Sequence, residues 1–484
     1  MFWNKTTRKI LGAFLTGFSF FLIFPLIVSI LFDDKNSDVF VWTSSVTCVA
    51  GLALWLPLRN QSQELKIRDG FLIVALFWIV LSVIGAIPLF LCEKIELTWA
   101  DSIFESFSGL TTTGATVITG LDHLPPSLLF YRQMLQWLGG MGIIVLAVAI
   151  LPILGIGGMQ LYKAETPGPI KDTKLTPRIK ETAKALWYIY VSLTVLCAVS
   201  YYFAGMPAFD AIGHSFSTIA IGGFSTHDES IGFFDSPLID SVAILFMFLA
   251  GINFSLHFLA WRENKIAAYF LDSEFQTYTA ALLTVFFLCA IVLIMNDSYS
   301  SVLDSIRYGL FQAVSIGTTT GFTNAAFHVW PTYLPTLLIL ASFIGGCAGS
   351  TGGGIKVIRC MLLFKQGIRE IKRLIHPNAI INIRIGDRVI PDKIVDAVWG
   401  YFAAYILIFV VILLSLMATG LDQTTAISAV AACLNNLGPG LGAVHQHYGE
   451  LTDSAKYLLC FAMLMGRLEI FTLLVLLSPA FWRA

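Results

Sequence analysis

The sequence predicts an all-α polytopic membrane protein, assembled from four unequal helix–pore loop–helix repeats around one central pore. Three observations carry that expectation: too little charge for a water-facing surface, apolar runs of membrane-spanning length, and a glycine-ended motif that recurs four times.

Charge comes first. Of 484 residues, 56% are hydrophobic and 13% charged, with a mean hydropathy of +0.77. Soluble domains usually carry about 25% charged residues. A net charge of −1 gives no signal for nucleic acid. The eight cysteines sit mostly inside apolar runs and form no C-x-x-C pair. They read as small buried hydrophobes, not as disulfide or zinc chemistry.

The apolar content is gathered into runs at 10–32, 71–92, 129–154, 186–204, 238–258, 278–295, 333–343, 398–418 and 457–477. Most reach the roughly 20 residues that cross about 30 Å of hydrocarbon. The first is too long for a signal peptide and lacks a small-residue cleavage site, so it reads as a retained helix.

Basic residues set the expected orientation. Of the 30 Lys and Arg, 24 fall at the two ends and in alternate loops, most densely between Lys356 and Lys393 and between Lys163 and Lys184. The other loops hold little beyond Lys35 and Lys94. The positive-inside rule then places both termini and the basic loops in the cytoplasm.

The repeats are the most informative feature. The segments DSIFESFSGLTTTGA and DAIGHSFSTIAIGGF each carry Asp 13 residues before a glycine, Asp101 before Gly114 and Asp210 before Gly223. Each also carries Ser-Phe-Ser six to eight residues before it. A third copy, QAVSIGTTTGF, ends at Gly321, and a fourth, AVAACLNNLGPG, supplies Gly438. In each copy a half-length helix of about a dozen residues follows a long one. That is too short to span, with Asp101 and Asp210 suited to cap the first two. Backbone that leaves helix at membrane depth must be buried or line a watery cavity. Four such breaks predict four re-entrant loops around one axis.

That arrangement is the physics of a cation filter. A short helix aims its negative end at the path, and the following carbonyls replace an ion's hydration shell. The candidate ligands are the backbone carbonyls of Thr111, Thr112 and Gly114; Ala220, Ile221 and Gly223; Thr318, Thr319 and Gly321; and Asn435, Asn436 and Gly438. Side chains vary between copies, as a backbone site tolerates. The competing reading is that the glycines only let helices pack closely.

Two further features stand out. The stretch GGCAGSTGGG at 345–354 interrupts an apolar run with six glycines in ten residues, which no stable helix accepts cheaply. It fails as a nucleotide loop, because Ile355 stands where a Walker A lysine must be. It reads as an intramembrane loop formed by Gly345, Gly346, Gly349, Ser350, Thr351, Gly352, Gly353 and Gly354, or else as a packing kink. Arg467 lies near the middle of the last apolar run. Such a residue should face protein or a wet cavity, as a barrier in the ion path or as half of a buried pair. His214, His227, His445 and His447 read as solvated or hydrogen-bonded groups rather than a transition-metal site. No G-x-S-x-G nucleophile motif occurs. An embedded enzyme would need intramembrane acidic or histidine clusters, which the sequence does not offer.

The motifs SGLTTTGAT, TIAIGGFSTHD, GTTTGFT and NNLGPG, with RQMLQWLGGMGI, GGCAGSTGGGIK, HPNA and MGRLE, resemble the Trk/Ktr/HKT superfamily of K+ transporters along essentially the whole chain. The resemblance implies an N-terminal transmembrane helix pair at 1–65 and pore repeats at 66–165, 166–268, 269–378 and 379–484. It also implies K+ as the transported ion, favoured by glycine in all four filters, with no organic cofactor on this chain. The loop at 345–354 and Arg467 would hinder flow below the filter. Expected partners are a second copy in a homodimer, the lipid bilayer, and a cytoplasmic nucleotide-binding regulatory subunit resembling TrkA. No nucleic acid is expected. The location implied is the bacterial inner membrane. Channel-like conduction and symport coupled to H+ or Na+ both remain open.

Overall fold

The computed structural model describes residues 5–60, 67–145, 179–386 and 388–483. The basic stretch 163–178, Lys66, the end of the apolar run 129–154 and the expected boundaries at 65/66 and 165/166 lie outside the described residues.

The described chain is helical apart from one two-residue hairpin, β1 (Arg384–Ile385) against β2 (Arg388–Val389). Before the repeats come α1 (Lys5–Phe21), α2 (Ile23–Phe32) and α3 (Ser37–Trp55). The first repeat holds α4 (Ile67–Leu91), the short α5 (Trp99–Leu110) and α6 (Pro126–Val145). The second holds α7 (Ile179–Phe203), α8 (Ala208–Ile219), α9 (Pro237–Ala250) and α10 (Phe254–Glu263), and α11 (Ala267–Leu271) leads out of it. The third holds α12 (Ser273–Met295), α13 (Val302–Gly317), α14 (Leu334–Ile344) and α15 (Val357–Ile375). The fourth holds α16 (Asp392–Ala418), α17 (Gln423–Leu434), α18 (Asp453–Arg467) and α19 (Ile470–Leu477), followed by α20 (Pro479–Arg483).

Among the described residues, six helices are long and apolar enough to cross a membrane, or eight if two bent pairs each count as one crossing. Their outer faces carry large apolar side chains such as Leu31, Phe203, Phe287 and Leu407 in the open, the surface expected against lipid. The four short helices α5, α8, α13 and α17 sit inside, with runs such as Ser106–Ser108 and Ala429–Leu434 buried.

Two apolar runs are not the single helices their composition suggests. The first run, by contrast, is one 28-residue span with a turn at Leu22 between α1 and α2. The run 238–258 bends by 94° between α9 and α10, and the last run bends by 113° between α18 and α19. At the second break, Glu469 takes a positive φ of 56°, which helix cannot hold. Hydropathy does not report such breaks, because the residues on both sides stay apolar. Asp101 and Asp210 also sit deeper than N-caps. Thr98 is the N-cap of α5, and Asp101 closes its capping box from the third helical position. Asp210 likewise occupies the first turn of α8, and its carboxylate accepts the Thr226 hydroxyl at 2.7 Å.

Candidate functional site

Each short helix ends in the same backbone device. The last carbonyls need partners once the helix stops, and a Schellman closure supplies them. The N–H groups of Thr113, Gly222, Thr320 and Leu437 reach back five residues to Ser108, Ser217, Ser315 and Ala432, at 2.7–2.8 Å. The N–H groups of Thr112, Ile221, Thr319 and Asn436 reach back three residues, to Gly109, Thr218, Ile316 and Cys433.

Those four residues carry a positive φ of 51°, 53°, 69° and 54° although none is glycine. For β-branched Ile221 this is an outlier conformation. The glycines two residues on are positive again: Gly114 80°, Gly223 78°, Gly321 83° and Gly438 100°. The preceding helix caps Thr111, Ala220, Thr318 and Asn435 are negative, between −73° and −85°. The sign of φ thus changes from the cap to the next residue in every copy and is positive again at the glycine.

The glycines also close a ring. A Cβ on Gly114 would collide with the carbonyl oxygen of Gly222. One on Gly223 would meet that of Thr320, one on Gly321 that of Leu437, and one on Gly438 that of Thr113. Each glycine therefore abuts the carbonyl just before the equivalent glycine of the next repeat, and the fourth returns to the first. Glycine is required twice over, by its torsion and by its neighbour. The carbonyls of Thr113, Gly222, Thr320 and Leu437 are part of this ring, though sequence reasoning passed over them. The repeat register contained them, one position before each glycine.

The ring forms the floor of a cavity of about 670 Å³, lined in part by Gly114, Gly223, Gly321 and Gly438. Side chains behind the ring hold it in shape. Gln136 on α6 donates to the Gly222 carbonyl at 2.6 Å and accepts the Phe224 N–H at 3.0 Å. Arg132 donates to Glu105 at 2.7 Å and to the Ser225 carbonyl at 3.2 Å. It thereby links the first two repeats, and both side chains of the pair are buried. In the fourth copy, asparagine side chains replace threonine. Asn436 donates to Thr113 Oγ1 at 2.9 Å, and Asn435 accepts the Tyr405 hydroxyl and donates to Ser342. Two of the expected ligand carbonyls already have protein donors. Gly438 accepts the Tyr448 hydroxyl at 2.8 Å, and Asn435 accepts the Gly354 N–H at 3.0 Å. Each keeps one lone pair for anything else.

On the opposite side of the ring lies the segment 345–354. It folds back on itself, with Gly345, Gly349 and Gly354 at positive φ and the Ile355 N–H on the Phe343 carbonyl at 2.8 Å. Its far end touches three pore helices. Thr351 Oγ1 donates to the Ile219 carbonyl at 2.9 Å. The Gly353 N–H donates to Thr319 Oγ1 at 2.7 Å, and the Gly354 N–H to Asn435. A Cβ on Gly352 would stand 3.0 Å from the Thr318 carbonyl oxygen. Nearer its start, Gly346 accepts the Val357 N–H, and Ser350 Oγ donates to the Cys347 carbonyl at 2.6 Å. The buried carboxyl of Glu274 accepts the Ala348 N–H at 2.7 Å.

Arg467 is not mid-helix: it is the last residue of α18, at the 113° break. Its Nη1 donates to the Thr351 carbonyl at 3.1 Å. Among the described residues its Nε and Nη2 have no hydrogen-bond partner. Glu469 does not pair with it, but with Arg359 at 2.8 Å.

Comparison with known proteins places this architecture. The family model described as "TrkH: Cation transport protein" matches residues 36–483. The chain is 56% identical over 482 residues to the Trk system potassium uptake protein TrkH of Vibrio parahaemolyticus, covering 99% of each. It is 55% identical to the TrkH of Escherichia coli K12 over 479 residues, again 99% of each chain. The crystal structure of the potassium transporter TrkH from Vibrio parahaemolyticus superposes with a TM-score of 0.92 at 53% identity, covering 99% of both chains. These relatives are transport proteins, not enzymes. The chain belongs to the TrkH family of cation transport proteins.

Proposed function

We propose that this protein carries K+ into the cell across the bacterial inner membrane, through the ring closed by Gly114, Gly223, Gly321 and Gly438. The observation that supports it most is the closure of that ring. Four equivalent glycines each meet the carbonyl of the next repeat around one cavity floor. Carbonyls held in a ring by helix caps and buried side chains cannot collapse onto a smaller ion, and they repay the dehydration of a K+. In this reading the 670 Å³ cavity is the external mouth and the basic loops face the cytoplasm, as the distribution of Lys and Arg supports.

The segment 345–354 then obstructs the internal side, with Arg467 as a positive charge beside it. Conduction is channel-like, and a cytoplasmic nucleotide-binding subunit of the TrkA type relieves the obstruction. The chain works as a homodimer. The basic end of α15, with Lys372 and Arg373, offers docking charge for an acidic partner face. The test is a flux assay in proteoliposomes comparing K+, Rb+ and Na+, with and without imposed H+ and Na+ gradients. K+ flux that follows its own gradient and excludes Na+ is the expected result. Flux driven uphill by H+ or Na+ would replace channel-like conduction with symport.

A further inference from the structure

Two imidazoles lie against each other on the wall of the cavity. His328 lies in the loop after the third filter and His445 in the loop after the fourth, with ring centroids 4.1 Å apart. Both line the cavity whose floor is the glycine ring. The Nδ1 of His445 lies 2.9 Å from the Gly442 carbonyl. A backbone carbonyl can only accept, so this nitrogen carries the proton, and in the neutral ring Nε2 carries the lone pair. That is the arrangement by which a backbone carbonyl orients a metal-binding histidine. His328 packs against His445 and supplies the second imidazole.

We propose that His328 and His445 form a binding site for a d-block divalent cation such as Ni2+, Cu2+ or Zn2+, seated in the mouth of the cavity. Coordination requires side-chain rotation that turns one nitrogen of each ring inward, to the about 2.0–2.1 Å of imidazole–metal bonds. Imidazole donors suit these ions and not K+, so the site is separate from the carbonyl ring. Among the described residues no third His, Cys, Asp or Glu completes a metal-binding group. Water fills the remaining positions, and binding is accordingly reversible. On the reading of the cavity as the K+ mouth, the bound ion sets a divalent charge above the glycine ring and blocks entry. Arg132, His227, Asp228, Glu229, His447 and Tyr448 are the other charged or titratable side chains on the cavity wall.

The experiment titrates purified protein, free of any histidine tag, with Ni2+ by calorimetry, alongside His328→Ala, His445→Ala and the double variant. One saturable Ni2+ site per chain is expected, with affinity falling about tenfold or more in each single variant and further loss small in the double. Absence of saturable binding, or variants that bind like the parent, overturns the proposal. His328→Gln and His445→Gln repeat the comparison should an alanine variant fold poorly. K+ flux into proteoliposomes is then read with Ni2+ on either side, each variant against its own metal-free flux. Block from the cavity side alone, lost in both variants, is expected. Histidine-dependent Ni2+ binding without block keeps the metal site and instead removes this cavity from the K+ path.

Discussion

The two sides of the glycine ring differ in kind. Towards the cavity the four repeats are nearly equivalent, with the same helix closure, the same pair of positive φ positions and the same contact with the next repeat. Towards the loop they are not. After the filter, the first repeat continues through the twenty-residue helix α6, while the second and fourth bend sharply and the third opens into the segment 345–354. Those departures meet one another. Gly251, at the second-repeat break, accepts the Cys347 N–H, and Phe254 donates to Gly349. Arg467, at the fourth-repeat break, donates to Thr351. On the proposed reading, an ion site made of carbonyls is served by symmetry, whereas a barrier needs only one obstruction.

Breaking the symmetric side gives the largest effect. Gly114→Ser and Gly321→Ser each force a side chain into a torsion costing about 1–2 kcal/mol and against a neighbouring carbonyl. Since 1.4 kcal/mol is tenfold in an equilibrium, K+/Na+ discrimination should fall by about tenfold or more, measured as a permeability ratio in bilayers. Because the ring is closed, the two variants should behave alike although they lie in different repeats. An unchanged ratio in both removes the ring from the selective step.

Disturbing the asymmetric side should act on rate and leave selectivity alone. Shortening 345–354 by its distal residues removes the contacts to Ile219, Thr319 and Asn435 and should raise K+ flux several-fold at equal protein density. Arg467→Ala should raise it less. Two unit charges about 10 Å apart at an effective dielectric near 20 interact by on the order of 1 to 2 kcal/mol. A fall in flux for both variants, with protein correctly inserted, assigns the loop to packing.

The symmetric side was also the more legible one. A glycine at fixed register marks a backbone demand that no other residue meets without strain, so Gly114, Gly223, Gly321 and Gly438 stood out of the sequence. The positive φ at Thr112, Ile221, Thr319 and Asn436 did not, because the closing hydrogen bonds, not the residue type, hold those torsions. The carbonyls of Thr113, Gly222, Thr320 and Leu437 escaped for a different reason, since their place in the ring depends on how repeats abut. The breaks at Gly251 and Glu469 lie in runs whose hydropathy matches unbroken helix. They touch a loop about 100 residues away in sequence, a contact that single-chain periodicity does not report. The contact of His328 with His445 is likewise a product of the ring.

The smallest effect should come from the stitching of the first two repeats above the ring. His227 reaches from the second-repeat loop to Asp122 of the first, with its other ring nitrogen 3.7 Å from Asp210 and its face stacked on Phe233. Asp228 accepts the Gly120 and Leu121 N–H groups nearby. Burial alone would lower the His227 pKa, but Asp210 and Asp122 outweigh it and the net shift is upward. A histidine raised in the native state contributes stability that is fully present below its ordinary value of about 6.5, and that contribution is lost as pH rises through the raised native value. The thermal midpoint of the detergent-solubilised protein should therefore drift down as the pH rises above about 6.5. His227→Gln, which keeps a hydrogen-bonding group but no titrating charge, should flatten that drift and lower the midpoint mainly at the acid end. The glycine ring is held by Gln136, Arg132 and the helix closures, not by His227. K+/Na+ discrimination should thus stay constant while the midpoint moves, and a parallel change in both would mean that the loops above the ring, and not the braces behind it, set its geometry.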